Sequence, residues 1–161
     1  MDGGLLIGRE APTGNALTAQ DALQRLNSLD VRHALTASFR ALWFDAREGN
    51  RDTLTACAAS NERLHPMAVI NLFGYDDGDG YLERLQQDGH AAILLWSGLL
   101  GWDLSHASFQ ALTRRCAQLD LPIQIVVDSP ADLMAAADAA DGSDIPVMIR
   151  WSKRGGYNNL P

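Results

Sequence analysis

The chain has 161 residues, 47% of them hydrophobic and 20% charged, with a net charge of −7. That length suits one domain, residues 1–161, with a substantial buried core. The acidic balance argues against nucleic-acid partners, whose phosphates need a basic surface, and against anionic membrane surfaces. No apolar run reaches the ~20 residues of a membrane span.

Cys57 and Cys116 stand alone, outside any C-x-x-C pair, which excludes zinc-ribbon and thioredoxin-like readings. Each suits a small apolar position on a helix. The N-terminus has no basic segment leading into an apolar stretch, so no signal peptide is expected, and a reducing, cytoplasmic compartment is.

Short apolar runs alternate with amphipathic stretches along the chain. The first strand is expected at Leu5–Ile7, ended by Gly8. After the polar loop Arg9–Ala16, Thr18 caps a helix, with Asp21 three residues on as a capping-box variant, and Leu23, Leu26 and Leu29 face inward. A second strand is expected near His33–Ser38. A loop with Trp43, Phe44, Gly49 and Asn50 follows, and Asn50 is positioned to cap a helix carrying Leu54, Cys57 and Ala58. Pro66 suits the start of a third strand, because a proline cannot donate to a ladder. Met67–Phe73 is a continuous apolar run broken only by Asn71, as a sheet buried on both faces requires.

The stretch Asp76-Asp77-Gly78-Asp79-Gly80 reads as a turn and helix start. It lacks the ligand spacing of a calcium loop. Leu82 and Leu85 face inward, and Gly89 stops that helix. Ala91–Trp96 is the fourth strand, followed by a loop through Trp102 and Asp103 and a helix bearing Phe109, Leu112, Cys116 and Leu119. Ile123–Val127 is the fifth strand. Ser129-Pro130-Ala131-Asp132 is a strong helix start, and Gly142 ends that helix. Pro146–Trp151 is the sixth strand, before a polar tail.

The spacing predicts an α/β fold, a partial TIM-barrel-like parallel sheet of about six β/α units. A doubly wound three-layer open sheet is the alternative. Either way the chemistry belongs at the carboxyl ends of the strands.

Several motifs, taken in order, resemble the amidohydrolase-related TIM-barrel family, the branch with metal-dependent hydrolases and decarboxylases. They are Asp2 with Gly8 around the first strand, Gly49-Asn50 with Arg63-Leu64-His65-Pro66, Gly89-His90-Ala91-Ala92-Ile93-Leu94, Leu121–Ile125 and Ile145–Ile149. The resemblance implies a hydrolase or decarboxylase of small carboxylated or cyclic substrates, and a divalent metal, Zn or Mn, as the family's cofactor. It also implies that the chain is incomplete at its C-terminus, two units short of a closed barrel. Where the family carries metal-binding histidines, this chain reads Gly4 and Leu6 on the first strand, then Val126 and Trp151. None of these supplies a ligand atom, so a degenerate metal site is expected, with no metal-ligating residue assigned. Were a metal nonetheless retained, Asp2, His106 and Asp128 are the first ligands to test.

Asp128, ending the fifth strand, is the candidate catalytic residue, as a general base or cation ligand at the strand mouth, or else it supports the next helix start. Arg150 can hold a substrate carboxylate, as can Lys153 and Arg154, or these three form a solvated basic end. Asn71 needs a partner for its amide, in the core or at the mouth. Trp96 and Trp151, with Trp43 and Trp102, can wall a small organic ligand or close the core. His33, His65 and His90 lie at the amino ends of strands, a face associated with stability. His106 sits in the first turn of a helix. No nucleotide-binding or serine-hydrolase motif is present. Expected partners are a small-molecule substrate or a second copy of the chain pairing at open sheet edges. A non-catalytic barrel remnant that binds a partner chain or a small ligand is the alternative to an enzyme.

Overall fold

The computed structural model describes residues 2–11, 13–76, 78, 80–101, 104–105, 107–141 and 145–152. The readings placed on Asp77, Asp79, Trp102, Asp103, His106, Gly142, Lys153, Arg154 and the side chain of Asp2 lie outside the described residues. The elements run β1 (Asp2–Arg9), β2 (Ala16–Leu17), α1 (Ala19–Ser28), β3 (Ala34–Ser38), α2 (Phe39–Trp43), α3 (Ala46–Ala58) and β4 (Leu64–Val69). A 3₁₀ turn at Leu72–Gly74 precedes α4 (Tyr81–Gln87), β5 (Ala92–Trp96), α5 (Ser97–Leu100), α6 (Ala107–Gln118), β6 (Ile123–Val127), α7 (Pro130–Asp141) and β7 (Val147–Trp151). This is the expected α/β class, with helices between mostly parallel strands. Among the described residues, no helix is long and apolar enough to cross a membrane.

The chain forms two compact units, Met1–Val69 with Leu85–Ala92, and Ile70–Arg84 with Ile93–Pro161. In the first, the strand order is β2-β1-β3-β4. The β1–β3 and β3–β4 pairs are parallel, with Ile7 opposite Ser38 and Thr36 opposite Pro66. The short β2 returns antiparallel on β1, Gly8 facing Leu17. Every residue of β3 is buried, the hydroxyl-bearing Thr36 and Ser38 as well as Ala34, Leu35 and Ala37, as a strand covered on both faces requires. Leu5, Ile7, Ala22, Leu26, Ala34, Cys57 and Leu64 form one core cluster. Helix α1 begins as its sequence indicates. Asp21 N–H donates to the Thr18 hydroxyl oxygen at 3.1 Å, and Thr18 N–H donates to the Asp21 carboxylate at 3.0 Å.

Three expectations in this unit are corrected. The segment expected as a loop is largely helical, because α2 and α3 occupy it. Asp45, not Asn50, caps α3 by accepting from Glu48 N–H at 3.0 Å. Gly49 lies against the backbone of Ala41, where any Cβ would collide, so this glycine serves helix packing rather than a loop. Asn50 is 2% exposed within α3, and its amide clasps β4, donating to the Val69 carbonyl at 3.0 Å and accepting from Val69 N–H at 2.8 Å. Pro66 is the third residue of β4 rather than its start. Its carbonyl accepts from Ala91 N–H at 2.8 Å, so only its missing donor distinguishes it in the ladder.

In the second unit, β5, β6 and β7 are parallel neighbours in that order, with Trp96 opposite Val126 and Val126 opposite Arg150. All of β6 is buried. Helix α6 buries Phe109, Leu112 and Cys116, spaced for one face. The expected start of α7 is present, with Asp132 N–H donating to the Ser129 hydroxyl oxygen at 3.1 Å and that hydroxyl donating to the Asp132 carboxylate at 2.8 Å. Arg115 pairs with Glu83.

Candidate functional site

The carboxyl ends of β5, β6 and β7 carry four of the five expected site residues. Trp96 ends β5, Asp128 directly follows β6, and Arg150 and Trp151 end β7. Trp96 Nε1–H donates to Asp128 Oδ2 at 2.8 Å. This fixes one carboxylate oxygen of a half-buried aspartate with a neutral donor. The other oxygen has no hydrogen-bond partner among the described residues. The backbone around Gly98 passes so close to this carboxylate that a Cβ there would overlap it. Glycine is therefore the residue that lets Asp128 reach the indole. Beside it, the Ser97 hydroxyl is buried and has no partner among the described residues.

Strand alternation places Arg150 on the face shared by Trp96 and Val126, and Trp151 on the opposite face. Both side chains are exposed, Trp151 at 44%. Asn71, the fifth residue, is exposed just past β4, where its side-chain oxygen accepts from Phe73 N–H at 3.1 Å and caps the 3₁₀ turn. Its amide is used locally, which answers the question its place in an apolar run poses. The arrangement fixes one carboxylate oxygen of Asp128 at the carboxyl end of a parallel strand and leaves the other without a hydrogen-bond partner among the described residues.

The histidines that the sequence puts at strand amino ends are there. His65 Nε2 lies 3.2 Å from His33 Nδ1, and His33 Nδ1 is also 3.2 Å from the Glu62 carbonyl oxygen. His90 is 4% exposed, and burial lowers its pKa below the ordinary imidazole value. Burial also pushes the Cys57 thiol up to about 12, which makes it a packing residue rather than a nucleophile.

The family resemblance implies a divalent metal at positions 4, 6, 126 and 151. Gly4, Leu6, Val126 and Trp151 offer no oxygen, sulfur or basic nitrogen ligand, and the described residues contain no group of three or more His, Cys, Asp or Glu able to hold a metal ion. This donor set does not fit a divalent-metal centre at those positions.

A feature invisible in the sequence lies in the first unit. A cleft of about 580 Å³ opens at the carboxyl ends of β1 and β3, between the β1–β2 hairpin and helices α2 and α3. Arg9, Ser38, Arg40 and Phe44 reach it. Only the short β2, which has no strand signal of its own, brings Leu17 and Thr18 across from Ser38 to form the far wall.

No family model and no curated protein matches the chain in sequence. Solved structures do match in fold. One is a probable 2-pyrone-4,6-dicarboxylic acid hydrolase of Acinetobacter baumannii with citric acid bound, at a TM-score of 0.64 and 18% identity. The match covers 92% of this chain and 58% of that one. Another is a protein of Agrobacterium tumefaciens in its apo form, at a TM-score of 0.60 and 16% identity, covering 92% of this chain and 54% of that one. The chain thus spans little more than half the length of either, and what it shares with them is the α/β fold.

Proposed function

We propose that this chain is an amidohydrolase-like hydrolase acting on small carboxylated or cyclic substrates, with Asp128 as its proton-accepting group. The observation that carries the reading is the half-free carboxylate of Asp128, anchored by Trp96 at a strand's carboxyl end. The fold shared with a probable pyrone dicarboxylate hydrolase supports it. For a lactone, the free Asp128 oxygen takes a proton from water as that water adds to the acyl carbon. The tetrahedral adduct then expels the ring oxygen, breaking the acyl C–O bond, and the aspartic acid returns the proton to the leaving alkoxide. Arg150, on the face shared with Trp96, receives the substrate's carboxylate, while Trp151, on the opposite face of its strand, and Asn71 are the further substrate-binding candidates. Trp96 holds the base in place and takes no proton. A decarboxylase of similar acids is the companion reading within this class.

The test is a panel of small lactones, amides and aromatic acids with wild type and Asp128→Asn, in chelator and with added Zn²⁺ or Mn²⁺. Turnover in chelator that falls about a hundredfold or more in Asp128→Asn supports the reading. No turnover under any condition, or turnover indifferent to the substitution, rejects it. We place the protein in the cytoplasm, a setting that suits its two buried cysteines outside any disulfide.

A second reading, a non-catalytic protein that pairs with another copy, is favoured by one feature. β7 is the last strand of its unit among the described residues and exposes Ile149 and Trp151 at 38% and 44%. Sedimentation showing a monomer across micromolar concentrations would dismiss it.

A further inference from the structure

The cleft of the first unit shares no residue with the Asp128 site, and its chemistry is of a different kind. Its floor and walls are apolar, with Ile7, Leu17 and Ala56 among the lining and the ring of Phe44 at the rim, 73% exposed. A solvated phenylalanine beside a concave apolar surface marks a place where a flat apolar body can be covered. Two polar groups in the cleft are unspent. The Arg9 guanidinium has no hydrogen-bond or ion-pair partner among the described residues. The Ser38 hydroxyl, on a residue 3% exposed, accepts from Arg40 N–H at 3.1 Å, while its own proton has no acceptor among the described residues. A hydroxyl that accepts once still has a donor to place, and a buried donor without an acceptor is costly.

The second arginine of the cleft is already committed. Arg40 pairs with Asp52 at 3.1 Å and approaches Glu48 at 3.9 Å. Among the described residues, one uncommitted cation and one uncommitted hydroxyl therefore face the cleft, and the Asp52 carboxylate lining it opposes a second negative charge. Both free groups are donors, which suits the two oxygens of a single carboxylate. The volume lies within the range of small-molecule sites.

We propose that this cleft is a binding site for a small aromatic monocarboxylic acid, its carboxylate held by Arg9 and Ser38 and its ring laid on the apolar floor under Phe44. The backbone turn at Gly8 supports this shape. Gly8 sits at φ +91°, a conformation other residues rarely adopt, and it lines the cleft beside Ser38.

The experiment titrates the whole chain with benzoate and phenylacetate by calorimetry and backbone-amide NMR, and needs no turnover. The expected result is saturable one-to-one binding, with shifts centred on Gly8, Ser38 and Phe44. Benzamide, which keeps the ring and lacks the charge, binds about tenfold more weakly, and Arg9→Gln weakens benzoate by a similar factor. Arg9 and Phe44 are exposed, so Arg9→Gln and Phe44→Ala leave the unfolding temperature near that of wild type, and Phe44→Ala also loses affinity. Absence of saturable binding by either acid overturns the proposal, as does equal binding of benzamide or indifference to Arg9→Gln. Tighter binding of citrate than of benzoate overturns it too, because a polyanion site would then be present.

Discussion

Gly98 and Asp128 occupy neighbouring space so tightly that the glycine's missing side chain is what admits the carboxylate. Replacing Gly98 with alanine forces either the helix start at Ser97 or the Asp128 side chain to move. We expect Gly98→Ala to break the bond from Trp96 Nε1–H to Asp128 and to destabilise the fold by about 1–3 kcal/mol. Indole NH chemical shift and urea unfolding read the two effects separately. An unchanged Trp96 indole resonance would show that the carboxylate does not depend on this glycine.

Removing the donor instead of the space gives a second test. In Trp96→Phe the half-buried carboxylate loses its only hydrogen bond among the described residues. A loss of about 1–3 kcal/mol is expected. If Asp128 is the base of the proposed hydrolase, turnover falls as well, since the free oxygen is no longer held in one direction. Loss of stability without loss of turnover would separate the structural bond from the chemistry.

Acid should weaken the protein through His90. Burial holds its pKa below the ordinary value, against smaller opposing contributions from the backbone of Leu85 and Asn50 and from Asp88. The folded state therefore prefers the neutral ring, and the unfolded chain binds the extra proton first. Stability is fully present above about pH 6.5 and declines as pH falls toward the folded-state value. Urea midpoints at about pH 7.5 and 5.5 check the sign. Equal midpoints would mean that His90 is not buried in solution.

Both cysteines should be silent in the folded state. Cys57 and Cys116 are buried and outside any disulfide, and the Cys57 thiol is pushed up to about 12. A thiol reagent at mild alkaline pH should label neither in native protein and both after denaturation. Rapid native labelling would show opening of the helices that carry them.

Metal retention gives the last test. After exposure to Zn²⁺, Mn²⁺ and Fe²⁺ and desalting, elemental analysis should find well below one equivalent, since the positions expected to ligate carry Gly4, Leu6, Val126 and Trp151. A retained equivalent would redirect attention to Asp2, His106 and Asp128 as ligands.

Much of the scaffold is legible in the sequence where local and global signals agree. Ile123–Val127 is β-branched at every position but Gln124, and it is β6 to the residue. Ser129-Pro130 and Thr18 with Asp21 state their helix starts in local chemistry alone. The parallel order brings Trp96, Asp128, Arg150 and Trp151 to one set of strand ends, because each lies at or just past the carboxyl end of its strand. The partnership of Trp96 with Asp128 was not legible, since it depends on how near Gly98 passes. Asn50 misled because a polar residue before a helical run looks like a cap, whereas a clasp on Val69 is a long-range relation that no window of sequence contains. The Arg9–Ser38 cleft was hidden for a similar reason. Its far wall is a two-residue strand too short to carry a pattern.

The clasp of Asn50 on Val69 has a consequence for substitution. A carboxamide is a peptide bond carried on a side chain, with one face that gives and one that takes. At position 50 it stands in for a strand neighbour, so helix α3 supplies one rung of the ladder of β4. Aspartate keeps the shape but turns a donor into a second acceptor facing the Val69 carbonyl, and leucine keeps the bulk but leaves both backbone groups bare. Glutamine carries the right groups one methylene too far. The helix and the strand are thus held in register by a functional group that, at this reach, only asparagine provides.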